Sequence, residues 1–343
     1  MRSLRLLAVV AAAAVGLSAC GALDEGGSDS AKSAPKGSTQ VRVGYLHTIA
    51  VDDKLALGLN KGYWADQGLD VKATKFDTGI AVSQALAGGS IDVAIMGGVT
   101  SNFPARGQGK IFMLNSLETA TAQLWVQPGS SIKSVKDLRG KTIATTEGTT
   151  ADVYLYNALK KAGLSRKDVK VVNAAMPNSV QAFVSGSVDA IALWVPFDLR
   201  IKEARKGATM IDNAGNYPET KIADGWIANN DWFAKNPAVV EKIVKGWLKA
   251  NEEFRTNPDE SLKTVQETWY AQDAKLSDLQ HQVQFQTDYT NDEWRTHYEN
   301  GDVQKWVGDV EKAYVALGGV PTYVDPKTFF DTSIFLKASG SGQ

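Results

Sequence analysis

Three segments of this 343-residue sequence have the residue types of oxyanion-binding loops. Thr78-Gly79 and Thr149-Thr150 each stand at a predicted helix start, and Gly97-Gly98 follows a predicted buried strand. Such positions offer unpaired backbone N–H groups and the positive end of a helix dipole, which together suit an anion. The same residues are also common as N-caps and turns, so that ordinary role stays open.

Five further residues could line a binding site. Trp194 ends a predicted strand, where its ring could form an apolar wall or a cation–π face, or pack in the core. Asp224 lies where the chain is predicted to cross between two units, and its carboxylate could hold a ligand ammonium group or be a turn acid. Glu118 and Glu147 are weaker candidates for that role. His47 follows the first predicted strand and could border a ligand or lie on the surface.

The sequence offers little for catalysis. His47, His281 and His297 are far apart and match no metal-ligand spacing. Cys20 is the only cysteine, which excludes disulfides and cysteine-based metal sites. We therefore expect no enzymatic activity, no cofactor and no metal. The formal net charge of −1 gives no basic footprint for nucleic acid, so we expect no nucleic-acid partner either.

The N-terminus predicts export. Arg2 and Arg5 precede an apolar run over residues 6–16 that is too short to be a permanent membrane span. The run ends in Leu-Ser-Ala-Cys20, which resembles the lipobox of bacterial lipoproteins; a plain secretory signal is the alternative. We expect residues 1–20 to be a signal peptide, Cys20 to be lipidated, and residues 21–40 to be a flexible tether. The mature protein would then sit on the outer face of the cell membrane with a formal charge of −3, since two arginines are removed.

The elements that must position these residues form a duplicated unit. Strands predicted at 41–45, 69–76 and 91–96, with helices between them, recur as strands at 141–145, 169–173 and 188–193. The stretch from Gln84 to Asp92 matches that from Gln181 to Asp189 within equivalent β-α-β settings. The pattern predicts two α/β lobes facing each other across a cleft: residues 41–126 and 226–343 in lobe I, and 127–225 in lobe II. Later helices are predicted at 259–270, 276–287 and 303–317.

Four short segments between residues 41 and 248 are distinctive: the Phe-Asp-Thr-Gly box ending at Gly79, the Asp-Leu-Arg-Gly-Lys segment ending at Lys141, the Trp-Val-Pro box starting at Trp194 and the Pro-Ala-Val-Val box ending at Val240. With these segments, residues 41–248 resemble the nitrate, sulfonate and taurine class of ABC transporter binding proteins, and most closely its taurine-binding branch.

The resemblance implies a type II periplasmic-binding-protein fold that closes around its ligand and delivers it to ABC permease subunits. It implies that Thr78, Gly79, Thr149 and Thr150 contact a sulfonate and that Asp224 contacts an amine. The chain departs from the taurine branch at Leu46-His47 and Gly97-Gly98, so an alkanesulfonate, nitrate or an aromatic carboxylate remains an alternative to taurine. Pyrimidine-synthase enzymes share this fold, but they use a His-rich, Cys-containing iron site that this sequence lacks.

Overall fold

The computed structural model describes residues 34–217 and 221–340; Cys20 and the predicted signal segment lie outside these ranges. The strands within them are β1 (Thr39–Leu46), β2 (Leu69–Phe76), β3 (Val93–Met96), β4 (Lys110–Glu118), β5 (Ala122–Val126), β6 (Thr142–Thr145), β7 (Lys170–Asn173), β8 (Ala190–Trp194), β9 (Thr209–Asn213), β10 (Ile222–Ala228) and β11 (Gln286–Thr287). The helices are α1 (Ile49–Lys61), α2 (Gly79–Ala87), α3 (Asn102–Ala105), α4 (Thr150–Lys161), α5 (Met176–Val184), α6 (Phe197–Ala204), α7 (Asn230–Lys235), α8 (Pro237–Thr256), α9 (Pro258–Trp269), α10 (Leu276–Val283), α11 (Asn291–Glu299), α12 (Asp302–Ala316) and α13 (Ser333–Gly340).

The strands form two sheets with the same plan. The first sheet has the order β2-β1-β3-β10-β4-β11, and the second has the order β7-β6-β8-β5-β9. In the first sheet β1 runs parallel to its neighbours β2 and β3, and β10 pairs antiparallel with β3. In the second sheet β6 runs parallel to its neighbours β7 and β8, and β5 pairs antiparallel with β8. We call the parts of the chain built on these sheets the first and second lobes. The predicted pair of α/β lobes is confirmed.

The repeated sequence box has the same structural role in both lobes. Gly89 and Gly186 adopt positive φ angles of 72° and 80° just after α2 and α5, a conformation that favours glycine. The aspartates three residues later then reach back to the central strands. Asp92 Oδ2 accepts the backbone N–H of Arg42 at 2.9 Å, and Asp189 Oδ2 accepts that of Thr142 at 2.8 Å. The box therefore ends a helix and ties two parallel strands together.

The chain passes between the lobes twice, from β4 to β5 and from β9 back to β10. β5 lies within the range predicted for lobe I, but it pairs with β8 and β9 of the second sheet. β10 begins at Ile222, inside the range predicted for lobe II. β1 begins at Thr39, inside the range predicted as tether. Glu118 of β4 and Ile222 of β10 are paired residues, so the first crossing leaves the first lobe beside the point where the second crossing returns to it.

The C-terminal helices complete the first lobe. α8 packs against α1 and α13, and a single buried side chain, Asn115 of β4, links several layers. Its Oδ1 accepts the indole N–H groups of Trp226 and Trp247 at 3.1 and 2.9 Å. The helix predicted for residues 276–287 ends at Val283 instead, because the carbonyl of Phe285 accepts the N–H of Thr119 and the following residues pair with β4.

Candidate ligand-binding cleft

A cleft of about 860 Å³, counting the space that opens to solvent, lies between the two lobes. Both lobes contribute loops that follow parallel strands, as expected for the carboxyl ends of an open α/β sheet. The predicted residues Thr78, Gly79, Gly97, Gly98, Thr149, Thr150 and Trp194 all line it. Among the described lining residues, none is Lys, Arg or His.

The start of α2 supplies unpaired amides from the first lobe. The Thr78 hydroxyl accepts the N–H of Ala81 at 3.1 Å, so its side chain acts as an N-cap. No described hydrogen bond uses the N–H groups of Gly79 or Ile80, the first two residues of the helix. The anion-binding capacity of this segment therefore lies in its backbone and helix dipole.

The start of α4 supplies equivalent amides from the second lobe. The Thr149 hydroxyl donates to the carbonyl oxygen of Thr146 at 2.7 Å and is already paired. The N–H groups of Thr150 and Ala151 have no partner among the described hydrogen bonds. Each lobe therefore presents one helix start to the cleft, and an oxyanion between them could accept hydrogen bonds from both.

Gly98 allows the two lobes to approach closely. A Cβ atom on Gly98 would lie 2.4 Å from Thr150 Oγ1 and 2.8 Å from its backbone N. The Tyr314 hydroxyl of α12 contacts the carbonyl oxygens of Gly98 (2.6 Å) and Gly148 (3.2 Å), one in each lobe. Farther along the rim, His281 Nε2 of α10 lies 2.7 Å from Asp198 Oδ2 of α6. The structure is therefore a closed form.

Two carboxyl groups lie together at the floor of the cleft, beneath Gly97. Asp224 of β10 is fully buried and Glu118 of β4 is 8% exposed. A Cβ atom on Gly97 would lie 3.0 Å from Asp224 Oδ1 and 3.1 Å from Glu118 Oε1. Hydroxyl groups of Thr121 and Thr150 donate to Glu118. Asp224 itself is not part of the lining, but the missing side chain at Gly97 leaves its Oδ1 next to the cleft.

Burial and mutual repulsion oppose full ionisation of this pair. Removal from water raises the pKa of Asp224 well above its ordinary value, and the charge of Glu118 raises it further. Burial likewise raises the pKa of Glu118, against hydrogen bonds that favour its charged form. Two adjacent carboxyl groups in a site of low polarity repel each other when both are charged, so a proton or a cation beside them stabilises the pair.

The opposite wall of the cleft is apolar. Trp194 ends β8, and its half-buried ring meets the ring of Phe197 edge-on, with 5.5 Å between the centroids. Met176 and Pro177 of α5 and Ile80 of α2 continue this surface. The wall could cover the carbon chain of a ligand that lies between the amide donors and the carboxyl pair.

Two predicted candidates lie outside the cleft. His47 follows β1, but its ring contacts Asp52 Oδ2 (2.6 Å) and Asp273 Oδ2 (3.1 Å) and stacks on Tyr270. The buried Asp52 needs a partner, which turns the histidine away from the ligand space. Glu147 is half-exposed and contacts Arg166 and Asn173 in an outer groove. Neither side chain is positioned to contact a ligand between the lobes.

The C-terminal region contributes two cleft residues that were not predicted from the sequence. Gln282 and Gln286 line the cleft, and the Gln286 amide nitrogen donates to Asp288 Oδ2 at 2.9 Å. This contact orients its Oε1, a buried acceptor without a partner among the described residues. Pairing of β11 with β4 carries Gln286 to the cleft. Only the long-range pairing, and no motif, could have identified it.

Residues 34–217 and 221–340 contain no helix long and apolar enough to cross a membrane. The same ranges contain no group of three or more His, Cys, Asp or Glu side chains that could hold a metal ion.

Sequence comparisons identify related proteins. The family model described as NMT1/THI5-like matches residues 54–261. A provisionally named binding protein of Brucella abortus (strain 2308) is 31% identical over 298 residues, which covers 86% of this chain and 91% of that protein. The taurine-binding periplasmic protein of Escherichia coli K12 is 28% identical over 206 residues, covering 60% of this chain and 63% of that protein.

Comparison with solved structures establishes the type II periplasmic-binding-protein fold predicted from the sequence. The alkanesulfonate-binding protein SsuA from Xanthomonas axonopodis pv. citri, bound to MOPS, superposes with a TM-score of 0.68 at 20% identity, covering 88% of this chain and all of SsuA. The desulfurization enzyme DSZB superposes with a TM-score of 0.65 at 13% identity, covering 89% of this chain and all of DSZB. Since an enzyme shares the fold, the fold alone does not separate binding from catalysis.

Proposed function

The chain belongs to the NMT1/THI5-like family, and from that premise we propose that it is the substrate-binding component of an ABC importer for a small sulfonate, with taurine as its ligand. It binds without catalysing a reaction. The observation that carries the proposal is the pairing, within one closed cleft, of anion-binding helix starts with a buried carboxyl pair. Taurine has the matching groups, a sulfonate and an ammonium joined by a short carbon chain.

The sulfonate end is assigned to the starts of α2 and α4. Amides of Gly79, Ile80, Thr150 and Ala151 are free to donate, and two helix dipoles point their positive ends into the cleft. Neutral donors of this kind suit a sulfonate, which stays ionised and accepts several hydrogen bonds. Since one helix belongs to each lobe, a bound sulfonate stabilises the closed form.

The ammonium end is assigned to Asp224 and Glu118. A simple anion would find no lysine or arginine among the described lining residues and would lie near a pair of buried carboxyl groups. Like-charge contact at such a site is costly, whereas an ammonium gives the pair the cation that it lacks. This balance favours a zwitterion over an alkanesulfonate, nitrate or an aromatic carboxylate.

The exported location belongs to the same proposal. Cys20 is the lipidation site, the Gly- and Ser-rich residues after it form a tether, and the closed protein presents both lobes to permease subunits. The related taurine-binding protein of Escherichia coli K12 is periplasmic, which supports an extracytoplasmic position.

Isothermal titration with taurine and with ethanesulfonate, which lacks the amine, tests the ligand assignment. Asp224→Asn should weaken taurine binding by about a hundredfold, because a buried ammonium loses its charged partner. Ethanesulfonate binding should be unchanged or improved. Asp231→Asn, which removes an exposed acid in the first turn of α7, is the matched control and should bind both ligands as the parent does.

If the parent binds ethanesulfonate, nitrate or an aromatic carboxylate more tightly than taurine, the ligand is a simple anion and the amine assignment is wrong. If Asp224→Asn binds taurine as the parent does, Asp224 does not contact the amine.

A further inference from the structure

Short contacts between oxygen atoms beside the carboxyl pair need one more proton than the Ser116 hydroxyl can supply. The Ser116 hydroxyl lies 2.6 Å from Asp224 Oδ2 and 2.8 Å from the carbonyl oxygen of Ala50. A hydroxyl has one proton and cannot donate to both acceptors at once. Both short contacts are satisfied when Asp224 Oδ2 carries the proton of the pair and donates it to Ser116, which in turn donates to the carbonyl oxygen of Ala50. Geometry therefore indicates a proton here, independently of electrostatics.

The described cleft lining contains no lysine, arginine or histidine that could take the place of that proton. Lys54 of α1, in the same lobe, is fully buried and lies 2.7 Å from Asp53 Oδ2, and it also contacts Asp288. It is already paired with Asp288 and with Asp53, whose own pKa burial raises to about 7. The negative charge of Asp53 adds to that of Glu118 in opposing ionisation of Asp224. From α12 the pair faces Tyr314, a neutral phenol whose pKa burial raises.

A ligand can reach the pair because position 97 carries no side chain. A Cβ atom at Gly97 would lie 3.0 Å from Asp224 Oδ1 and 3.1 Å from Glu118 Oε1, so the glycine leaves this space open. Asp224 Oδ1 receives no hydrogen bond from any donor in the described part of the chain. An ammonium group above Gly97 would find two oxygen acceptors, and the orphaned Gln286 Oε1 lies on the same cleft.

We propose that Glu118 and Asp224 share one proton in the unliganded protein and that the ammonium group of the ligand displaces it, so that amine binding releases a proton. Glu118 is then a second specificity-determining residue. This inference rests on the proposed function, because it requires a ligand that carries an amine.

The charges balance. The unliganded pair carries one proton and a net charge of −1; the liganded pair carries none and a charge of −2, offset by the ammonium. The displaced proton goes to solvent. Primary ammonium groups titrate far above neutrality, so the ligand brings its own charge across the neutral range. Affinity for taurine should rise by up to about tenfold per pH unit while the pair is protonated, and then level off. Affinity for ethanesulfonate should not rise.

Calorimetry in buffers with different ionisation enthalpies measures the proton directly. Taurine is titrated into the parent protein near pH 6 in phosphate and in a buffer with a large ionisation enthalpy, such as imidazole. The difference in observed heat gives the number of protons released, and we expect about one for taurine and none for ethanesulfonate. This measurement needs no variant, so it stays decisive even if substitutions at the pair impair folding.

Glu118→Gln tests the second residue. An amide at this position removes the negative charge that opposes ionisation of Asp224 and can donate to it, so taurine binding should release fewer protons than in the parent and depend less on pH. Glu147→Gln makes the same chemical change in the outer groove and should release protons as the parent does. Binding of taurine without proton release by the parent would overturn this inference and leave the proposed function standing. Failure of the folded parent to bind taurine at any pH would overturn the proposed function, and this inference with it.

Discussion

Substituting Gly98 by alanine should hold the two lobes apart. The added Cβ would lie 2.4 Å from Thr150 Oγ1, 2.8 Å from its backbone N and 3.0 Å from its Cα. A rotamer change can move the hydroxyl, but the backbone atoms belong to the first residue of α4. Restoring an ordinary contact of 3.4 Å to the backbone N requires the lobes to separate by about 0.6 Å.

The cost should fall on the closed form only. Overpacking a tight contact costs about 1–3 kcal/mol, and the open form does not make this contact. Taurine affinity should therefore fall by about 5- to 150-fold, while the thermal unfolding temperature of the unliganded protein stays near that of the parent. Titration calorimetry measures the first quantity and differential scanning fluorimetry the second.

Gly340→Ala is the matched control. It makes the same change near the end of α13, where the new Cβ would meet Arg295 Nη1 at 3.4 Å, an ordinary contact. It should bind taurine as the parent does. If Gly98→Ala binds with parental affinity, the liganded lobes do not approach as closely as the structure shows. If it instead lowers the unfolding temperature of the unliganded protein, Gly98 serves the packing of its own lobe and the closure argument is refuted.

The remaining predictions concern stability and location. Without ligand, the free energy of unfolding should fall as the pH rises towards the raised pKa of Asp224, by up to about 1.4 kcal/mol per pH unit. The reason is that the folded state holds an extra proton below that pKa. Urea titrations at several pH values measure this slope, and Asp224→Asn should show a flatter profile. Asn115→Ala should cost several kcal/mol in urea unfolding, since Trp226 and Trp247 both lose a buried acceptor; a loss below about 1 kcal/mol would contradict this. Cys20→Ser should move the protein from the membrane to the soluble fraction, and continued membrane association would refute lipidation.

The parallel parts of both lobes could be predicted because their information is local. Strand alternation, helix periodicity and the repeated box ending in Asp92 and Asp189 identify two equivalent β-α-β-α-β units. The loops after parallel strands then converge by topology, which is why Thr78, Gly98 and Thr149 were predicted near one another and lie in one cleft.

The cleft floor could not be predicted in the same way. Glu118 and Asp224 meet because β4 and β10 pair antiparallel over a long separation in sequence, and Gln286 arrives through β11. No sequence pattern next to these residues predicts which strands will pair. The expectation for His47 placed the loop correctly but not the side chain, because a buried acid, Asp52, competes for the ring. Side-chain direction in such loops depends on partners that are distant in sequence.

The described residues of the cleft lining include no lysine, arginine or histidine, and this affects how ligand affinity depends on ionic strength. Attraction between formal charges extends over distance and is screened by dissolved ions within about 10 Å at 0.1 M ionic strength. Amide dipoles at a helix start act at contact, after water has left the site. A protein that holds a sulfonate in this way does not steer it from bulk solution, but its affinity should vary little between dilute and saline surroundings. If the protein works outside the cytoplasm, as proposed, such a cleft should keep its ligand affinity nearly constant as the ionic surroundings change.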